Sequence, residues 1–139
     1  MYTTDIKSRQ PAVTSVVAEV ESRLNATNLG SDLTGEICLI LAEALNNVVK
    51  HAYSFTQDGD INIKVSLVDQ WVTISIDDFG PEFSIPTTKV IPSPDPEDFG
   101  SLPEGGFGWS LIQLLTDKIN LQRVNNRNHL ELTKKIVCE

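Results

Sequence analysis

The sequence predicts an α+β two-layer sandwich, in which a mixed, mostly antiparallel sheet is covered on one face by about three helices. Helical hydrophobic patterns and paired strand-like patterns along the chain support this prediction. The length of 139 residues, of which 40% are hydrophobic, fits a single domain over residues 1–139 with one buried core.

The first part of the chain predicts an edge strand and two helices. The N-terminal residues are polar around the apolar Ile6, which favours an edge strand. Pro11 then opens a helical pattern with an apolar face made of Val13, Val16, Val17, Val20 and Leu24. Gly30 breaks this pattern, and a second helix is predicted from Leu33 to Tyr53. At ~100° per residue, its apolar stripe consists of Ile37, Leu41, Ala44, Leu45, Val48 and Ala52.

A hairpin and a long loop follow the second helix. Apolar residues alternate along Ile61–Leu67 and again along Val72–Ile76, with Asp69-Gln70 as the short connection. Residues 84–104 then contain five prolines, several acids and little periodicity. A loop of about 20 residues without secondary structure in a compact domain is usually either functional or disordered.

The last part of the chain predicts a third helix and a second hairpin. Gly108 opens a helical pattern with a shared face made of Leu111, Ile112, Leu115 and Ile119. Strands are predicted near Ile119–Val124 and Leu130–Lys135, with the Asn-Asn-Arg-Asn turn of residues 125–128 between them.

Charge and composition argue against several classes of function. The net charge of −8 disfavours binding to nucleic acid or to an anionic membrane, because both would repel the chain. The N-terminal residues lack the apolar core of a signal peptide, and no apolar stretch is long enough to span a bilayer. Cys38 and Cys138 lack metal-ligand spacing and are predicted to be free thiols. We therefore expect a cytoplasmic protein.

The second predicted helix carries a polar pair beside its apolar stripe. Glu43 and Asn47 are four residues apart and are therefore neighbours on the helix surface, with Lys50 and His51 on the same arc. A carboxylate beside an amide can orient a hydroxyl and ligate a hard cation such as Mg2+, which prefers oxygen ligands. Taken alone, the pair is better explained by an ordinary amphipathic helix with a solvated polar arc, since such pairs are common on helices.

Two glycine-containing segments offer further binding groups. Asp78 follows a predicted strand and precedes Gly80, so its carboxylate can accept a hydrogen bond from a ligand amino group. The segment Gly105–Gly108 leads into the third helix, where glycines let the backbone approach a phosphate at the helix N-terminus. A plain turn and a helix cap are the structural alternatives. The spacing fits neither a dinucleotide fingerprint nor a P-loop, and the partner motifs of a eukaryotic-type protein kinase are missing.

In this order, the three segments resemble the boxes of the superfamily that contains gyrase, Hsp90 and the histidine kinases. Ile40–Tyr53 (ILAEALNNVVKHAY) is similar to the N box, Ile74–Phe83 (ISIDDFGPEF) to the first glycine box, and Glu104–Asp117 (EGGFGWSLIQLLTD) to the second. Within the superfamily the chain most resembles the bacterial anti-sigma factor serine/threonine kinases. The similarity covers nearly the whole chain and implies the Bergerat ATP-binding fold.

The resemblance implies a role for each matching residue. Glu43 would be the catalytic general base, and Asn47 would ligate Mg2+. Asp78 would accept a hydrogen bond from the adenine amino group, in a pocket shaped by Gly80. Residues 84–104 would form the ATP lid. The other nucleotide-binding residues implied are Lys50, His51, Lys89, Gly105, Gly106, Phe107 and Gly108.

The resemblance also implies partners and an activity. The family uses ATP and Mg2+ to phosphorylate a serine or threonine of a small anti-anti-sigma factor, and it binds a sigma factor, commonly as a homodimer. No direct contact with nucleic acid or with a membrane is expected.

Two departures from the family pattern leave other functions open. Glu82 stands where many relatives carry a second glycine, and Lys89 is the only cation in residues 84–104. Phosphoryl transfer needs positive charge near the γ-phosphate, because its catalysis depends on positioning and electrostatics. The alternatives are a catalytically weak or inactive, nucleotide-gated binding module and an α/β domain whose boxes are only turns and caps.

Overall fold

A computed structural model describes residues 2–27, 29–52, 59–83 and 106–136, with the backbone alone described at residues 51–52 and 106–108. In chain order the elements are β1 (Tyr2–Lys7), α1 (Gln10–Asn25), α2 (Ser31–Asn47), a π-helical turn (Val48–Ala52), β2 (Asp60–Val68), β3 (Trp71–Asp78), α3 (Gly106–Leu115), β4 (Lys118–Val124) and β5 (Arg127–Lys135). This order confirms the predicted edge strand, three helices and two hairpins.

The five described strands form one sheet in the order β1-β2-β3-β5-β4, with β1 at an edge as predicted. Every pairing of described strands is antiparallel, so the expected mixture of parallel and antiparallel pairs was wrong in that detail. Strands β3 and β4 do run in the same direction. They are not neighbours, because β5 lies between them and pairs with both.

The core lies between the sheet and the helices. Alternate residues are buried along β3 and along β2 as far as Val65, as alternation predicts, while Leu67 at the end of β2 is exposed. The buried apolar residues are Ile61, Ile63, Val65, Val72, Ile74 and Ile76. The apolar face of α1 contributes Val13, Val16, Val20 and Leu24. The stripe of α2 is fully buried at Ile37, Leu41, Ala44 and Leu45. These residues belong to one cluster, which confirms a sandwich with its helices on a single face of the sheet.

Helix α2 begins and ends differently from the prediction. Gly30 is its N-cap, with a φ of 88° that favours glycine, so the helix begins at Ser31 and not at Leu33. The α-helical hydrogen bonding ends at Asn47, and Val48–Ala52 form a π-helical turn instead of continuing the α-helix. The predicted end at Tyr53 lies outside the described residues.

The turn of the second hairpin is shorter than predicted. Asn125 and Asn126 have φ angles of 51° and 63° and form the whole loop. A two-residue loop with two positive φ angles is a type I′ turn, which asparagine tolerates well. Arg127 and Asn128, expected in the turn, therefore belong to β5. As a result, Asn128 is in register with Asp78 of β3.

The third helix is fixed at its C-terminus by side chains. It runs from Gly106 to Leu115, so it starts two residues earlier than predicted, and Ile119 belongs to β4. Lys134 of β5 donates to the Leu115 carbonyl at 2.8 Å and forms an ion pair with Glu36 of α2 at 3.1 Å. A single lysine thus connects the sheet to the end of α3 and to the second turn of α2.

Candidate functional site

The last residue of β3 is a buried carboxylate. Asp78 is 1% exposed, and its Oδ1 accepts hydrogen bonds from the Gly80 amide at 3.0 Å and from Asn128 Nδ2 at 2.8 Å. Burial raises the pKa of Asp78, while these two hydrogen bonds and the charge of Arg123 oppose the rise. The carboxylate that the sequence singled out therefore sits in a desolvated position at the end of the sheet.

Two neighbours of Asp78 were not predicted from the sequence. The second N–H of Asn128 donates to the Pro81 carbonyl at 2.9 Å, and its Oδ1 accepts from Arg123 Nη1 at 3.1 Å. Arg123 Nη1 also donates to the Gly80 carbonyl at 2.7 Å. The signal that would have revealed them is strand register, because Asn128 is paired with both Asp78 and Arg123.

An aromatic contact brings the two glycine segments together. Phe83, at the end of the first segment, lies with its ring centroid 6.1 Å from that of Trp109, which follows Gly108. The rings are tilted by 33°, within the range of favourable aromatic pairs. Trp109 is 3% exposed and belongs to the core. The chain after Asp78 is thus held against the first turns of α3, which in turn packs beside α2.

Glu43 and Asn47 lie one turn apart on α2, as predicted. Asn47 is 5% exposed, and its Nδ2 is a buried atom without a hydrogen-bond partner among the described residues. The Oδ1 of the neighbouring Asn46 is also buried and has no hydrogen-bond partner among the described residues. Glu43 is half-buried. Unpaired buried polar atoms are rare in folded proteins and each needs an explanation, such as a ligand or water.

The π-helical turn changes the geometry expected of Lys50 and His51. It begins directly after Asn47, so these two residues do not continue the α-helical spacing of Glu43 and Asn47. The backbone of His51 lies in the turn, and Lys50 is half-buried. Single π-helical turns occur frequently at functional sites.

The second glycine segment is described only in part. Gly106, Phe107 and Gly108 form the first turn of α3, with their side chains outside the description. The first turn of a helix presents backbone amides without intrahelical partners, which suits phosphate binding. Lys89, Gly105 and the predicted lid of residues 84–104 lie outside the described residues.

The sequence of the chain matches a known family over most of its length. The sequence model of the family described as "Histidine kinase-like ATPase domain" matches residues 6–134. The chain belongs to the histidine kinase-like ATPase domain family.

Two similar proteins are named as serine-protein kinases. "Serine-protein kinase RsbW" of Oceanobacillus iheyensis is 34% identical over 94 residues, which cover 66% of this chain and 58% of the relative. The protein of the same name in Staphylococcus aureus is 35% identical over 104 residues, covering 73% of this chain and 65% of the relative. The chain therefore spans less than two thirds of the length of these relatives.

Solved structures agree on the fold. A blue-light activated histidine kinase of Erythrobacter litoralis aligns over 89% of this chain and 42% of its own, with a TM-score of 0.55 and 17% identity. The histidine kinase AdeS of Acinetobacter baumannii aligns over 99% and 70%, with a TM-score of 0.52 and 15% identity. Within the described residues, no helix is long and apolar enough to cross a membrane.

The described residues can be tested for the Mg2+ that the resemblance implies. They contain no cluster of three or more His, Cys, Asp or Glu side chains able to hold a metal. Mg2+ often binds through one or two protein oxygens together with substrate phosphates and water, so such a cluster is not needed. Among the described residues, Asn46 Oδ1 and Asn47 Nδ2 have no hydrogen-bond partner. Because rotation of an amide exchanges its oxygen and nitrogen, both side chains can present an oxygen of this kind. The donor set fits Mg2+ held jointly with a nucleotide.

Proposed function

We propose that the protein is an ATP-dependent serine/threonine protein kinase that acts as an anti-sigma regulatory factor and phosphorylates an anti-anti-sigma partner. The observation that carries the proposal is the buried Asp78 carboxylate, held at the end of β3 beside the Gly80 turn, after which Phe83 contacts Trp109 of α3. The proposal follows the names of the similar proteins, which are serine-protein kinases.

The adenine end of the site is Asp78. Its Oδ1 already accepts two hydrogen bonds, so the second oxygen accepts the one from the adenine amino group. The Gly80 turn lies alongside, and its buried glycine leaves room for the base. A buried carboxylate selects strongly for a donor, because a ligand without one leaves the charge unpaired in a desolvated pocket.

The phosphate end of the site lies between α2 and α3. The backbone amides in the first turn of α3, at Gly106, Phe107 and Gly108, bind phosphate oxygens. Asn47, with Asn46 beside it, holds Mg2+, which neutralises phosphate charge when bound. Gly105, Lys50, His51 and Lys89 complete the nucleotide contacts of this proposal, and residues 84–104 form the lid.

Glu43 is the proposed catalytic base. It lies one helical turn before Asn47 and is half-buried, so it is near the phosphates but open to a partner side chain. Its carboxylate accepts the proton of the partner's serine or threonine hydroxyl as that oxygen attacks the γ-phosphate of ATP. The products are a phosphorylated partner and ADP.

The partners proposed are an anti-anti-sigma factor as substrate and a sigma factor as the protein that is sequestered. A homodimer in the cytoplasm is the proposed working form. The net charge of −8 supports recognition of proteins over direct contact with nucleic acid.

A second candidate function is a nucleotide-gated binding module without efficient transfer. It is favoured by the single cation, Lys89, in residues 84–104. Such a module binds its partner in the presence of ATP and leaves the partner unphosphorylated.

The two functions are separated by a transfer assay with γ-labelled ATP, Mg2+ and a candidate anti-anti-sigma factor. The kinase labels its partner on serine or threonine, and Glu43→Gln, which keeps the shape but removes the base, reduces labelling at least about 100-fold. Glu36→Gln is the matched control, because it removes the same charge from the same helix at a surface ion pair. Full labelling by Glu43→Gln would rule out Glu43 as base, and ATP binding with no labelling by the wild-type chain supports the binding module.

A further inference from the structure

The contacts around Asp78 form a row across three strand ends. Arg123 of β4, Asn128 of β5 and Asp78 of β3 are successive neighbours in register. Hydrogen bonds run along the row, from Arg123 Nη1 to Asn128 Oδ1 at 3.1 Å and from Asn128 Nδ2 to Asp78 Oδ1 at 2.8 Å. Asp78 belongs to a segment that the sequence singled out, whereas Arg123 and Asn128 lie outside all three segments.

The row fixes the orientation of the Asn128 amide. Arginine can only donate hydrogen bonds, so the amide oxygen must face Arg123 and the amide nitrogen must face Asp78. Both hydrogens of that nitrogen are used, one on Asp78 and one on the Pro81 carbonyl at 2.9 Å. Asn128 is 1% exposed, so water does not replace these partners easily.

The same groups also hold the turn that borders the base pocket. Arg123 donates to the Gly80 carbonyl at 2.7 Å, while the Gly80 amide donates to Asp78 at 3.0 Å. Asn128 also donates to the Pro81 carbonyl, so side chains of β3, β4 and β5 all hold the turn. The turn and the carboxylate therefore keep one arrangement relative to each other.

The polarity of the row determines what Asp78 can accept. All the groups that reach its Oδ1 are donors and favour a carboxylate oxygen that accepts. With the charge of Arg123, they partly offset the rise in the pKa of Asp78 that burial causes. Adenine presents an amino donor at position 6, and guanine presents a carbonyl acceptor there. A guanine in the same orientation would place its oxygen against the carboxylate.

We propose that Arg123 and Asn128 are positioning residues that set the base specificity of the site, by holding Asp78 as an acceptor that selects adenine over guanine. The inference rests on the proposed function, since it requires a nucleotide at Asp78. Loss of Arg123 removes the donor to Asn128 Oδ1 and one anchor of the Gly80 turn, so Asn128 and the turn hold Asp78 less firmly. Discrimination between the two bases then weakens.

The test compares the dissociation constants of Mg-ATP and Mg-GTP by calorimetry on the full chain. Arg123→Met, a change at the surface, is expected to reduce the preference for ATP about 5- to 10-fold, the loss of roughly one hydrogen bond. Arg123→Lys is expected to recover part of the preference, because lysine still donates one hydrogen bond to the Gly80 carbonyl. Thermal unfolding of each variant verifies that it is folded.

Arg127→Met is the matched control. This substitution removes the same charge from the same hairpin. Arg127 is adjacent to Asn128 on β5, so its side chain points to the other face of the sheet. Its ratio of ATP to GTP affinity is expected to equal that of the wild type.

An unchanged ATP-to-GTP affinity ratio in Arg123→Met would overturn the inference. This holds whether both affinities equal those of the wild type or both fall by the same factor, which indicates general damage to the pocket. A wild-type chain that binds neither nucleotide contradicts the proposed function itself, and this inference falls with it.

Discussion

Replacement of Asp78 by asparagine separates nucleotide binding from folding. The two side chains have the same shape, so Asp78→Asn removes the charge without opening a cavity. The Gly80 amide and Asn128 Nδ2 keep an acceptor at Oδ1. Because burial raises the pKa of Asp78, its ionised form is a cost to the folded protein at neutral pH. We therefore expect the free energy of unfolding of the variant to be within about 1 kcal/mol of the wild type or above it.

Nucleotide binding is expected to change in the opposite direction. The variant loses a hydrogen bond between a charged acceptor and the adenine amino group, which contributes about 1.5–3 kcal/mol. That loss weakens ATP about 10- to 150-fold. Calorimetric titration with Mg-ATP measures the affinity, and chemical denaturation measures stability. Asp77→Asn is the control, because Asp77 is the adjacent acid, points to the other face of β3 and is bonded to His129.

The pH dependence of stability, compared between the wild type and Asp78→Asn, tests the Asp78 carboxyl independently. A carboxyl with a raised pKa binds its proton more tightly in the folded chain, so its contribution to stability is largest in acid. That contribution decreases as the pH rises from the ordinary aspartate range through the raised pKa. Asp78→Asn is expected to lack this decrease. ATP affinity equal to wild type in Asp78→Asn would refute the assignment of Asp78 as the adenine acceptor.

Two other substitutions test the helices on either side of the proposed phosphate site. Asn47→Leu removes a buried amide whose Nδ2 has no hydrogen-bond partner among the described residues, so stability is expected to be equal or higher by up to about 1–2 kcal/mol while Mg2+-dependent ATP binding is lost. Denaturation with and without Mg-ATP measures both, and retained Mg2+-dependent binding contradicts the ligand role. Lys134→Met removes the hydrogen bond to Leu115 and the ion pair with Glu36, and is expected to cost about 1–2 kcal/mol. Lys64→Met, on an exposed position of β2, is its control in the same denaturation experiment, and equal stability of the two variants would contradict this role.

Hydrophobic periodicity was sufficient to predict the layers of the fold but not the order of its strands. Alternation along β2 and β3 identified their buried faces, because burial of every second residue is a local property. The position of β5 between β3 and β4 depends on long-range pairing. No local pattern reports that choice, and the expected mixture of parallel and antiparallel pairs was wrong for this reason.

The candidate site shows the same division. Glu43 and Asn47 were predicted as neighbours because they belong to one helix, and Asp78 was predicted because it ends a strand beside a glycine. Arg123 and Asn128 were missed because they reach Asp78 only through the register of two hairpins. The π-helical turn after Asn47 was also missed, since its sequence has the same apolar spacing as an α-helix.

The most direct test of the account is a titration of the full chain with ATP in the presence and absence of Mg2+, followed by thermal unfolding. We expect one nucleotide per chain, stronger binding with Mg2+, and stabilisation that grows with ligand concentration, to about 2.7 kcal/mol at 100 times the dissociation constant. The absence of both a heat of binding and a change in melting temperature at millimolar Mg-ATP would contradict the claim that these segments form a nucleotide site.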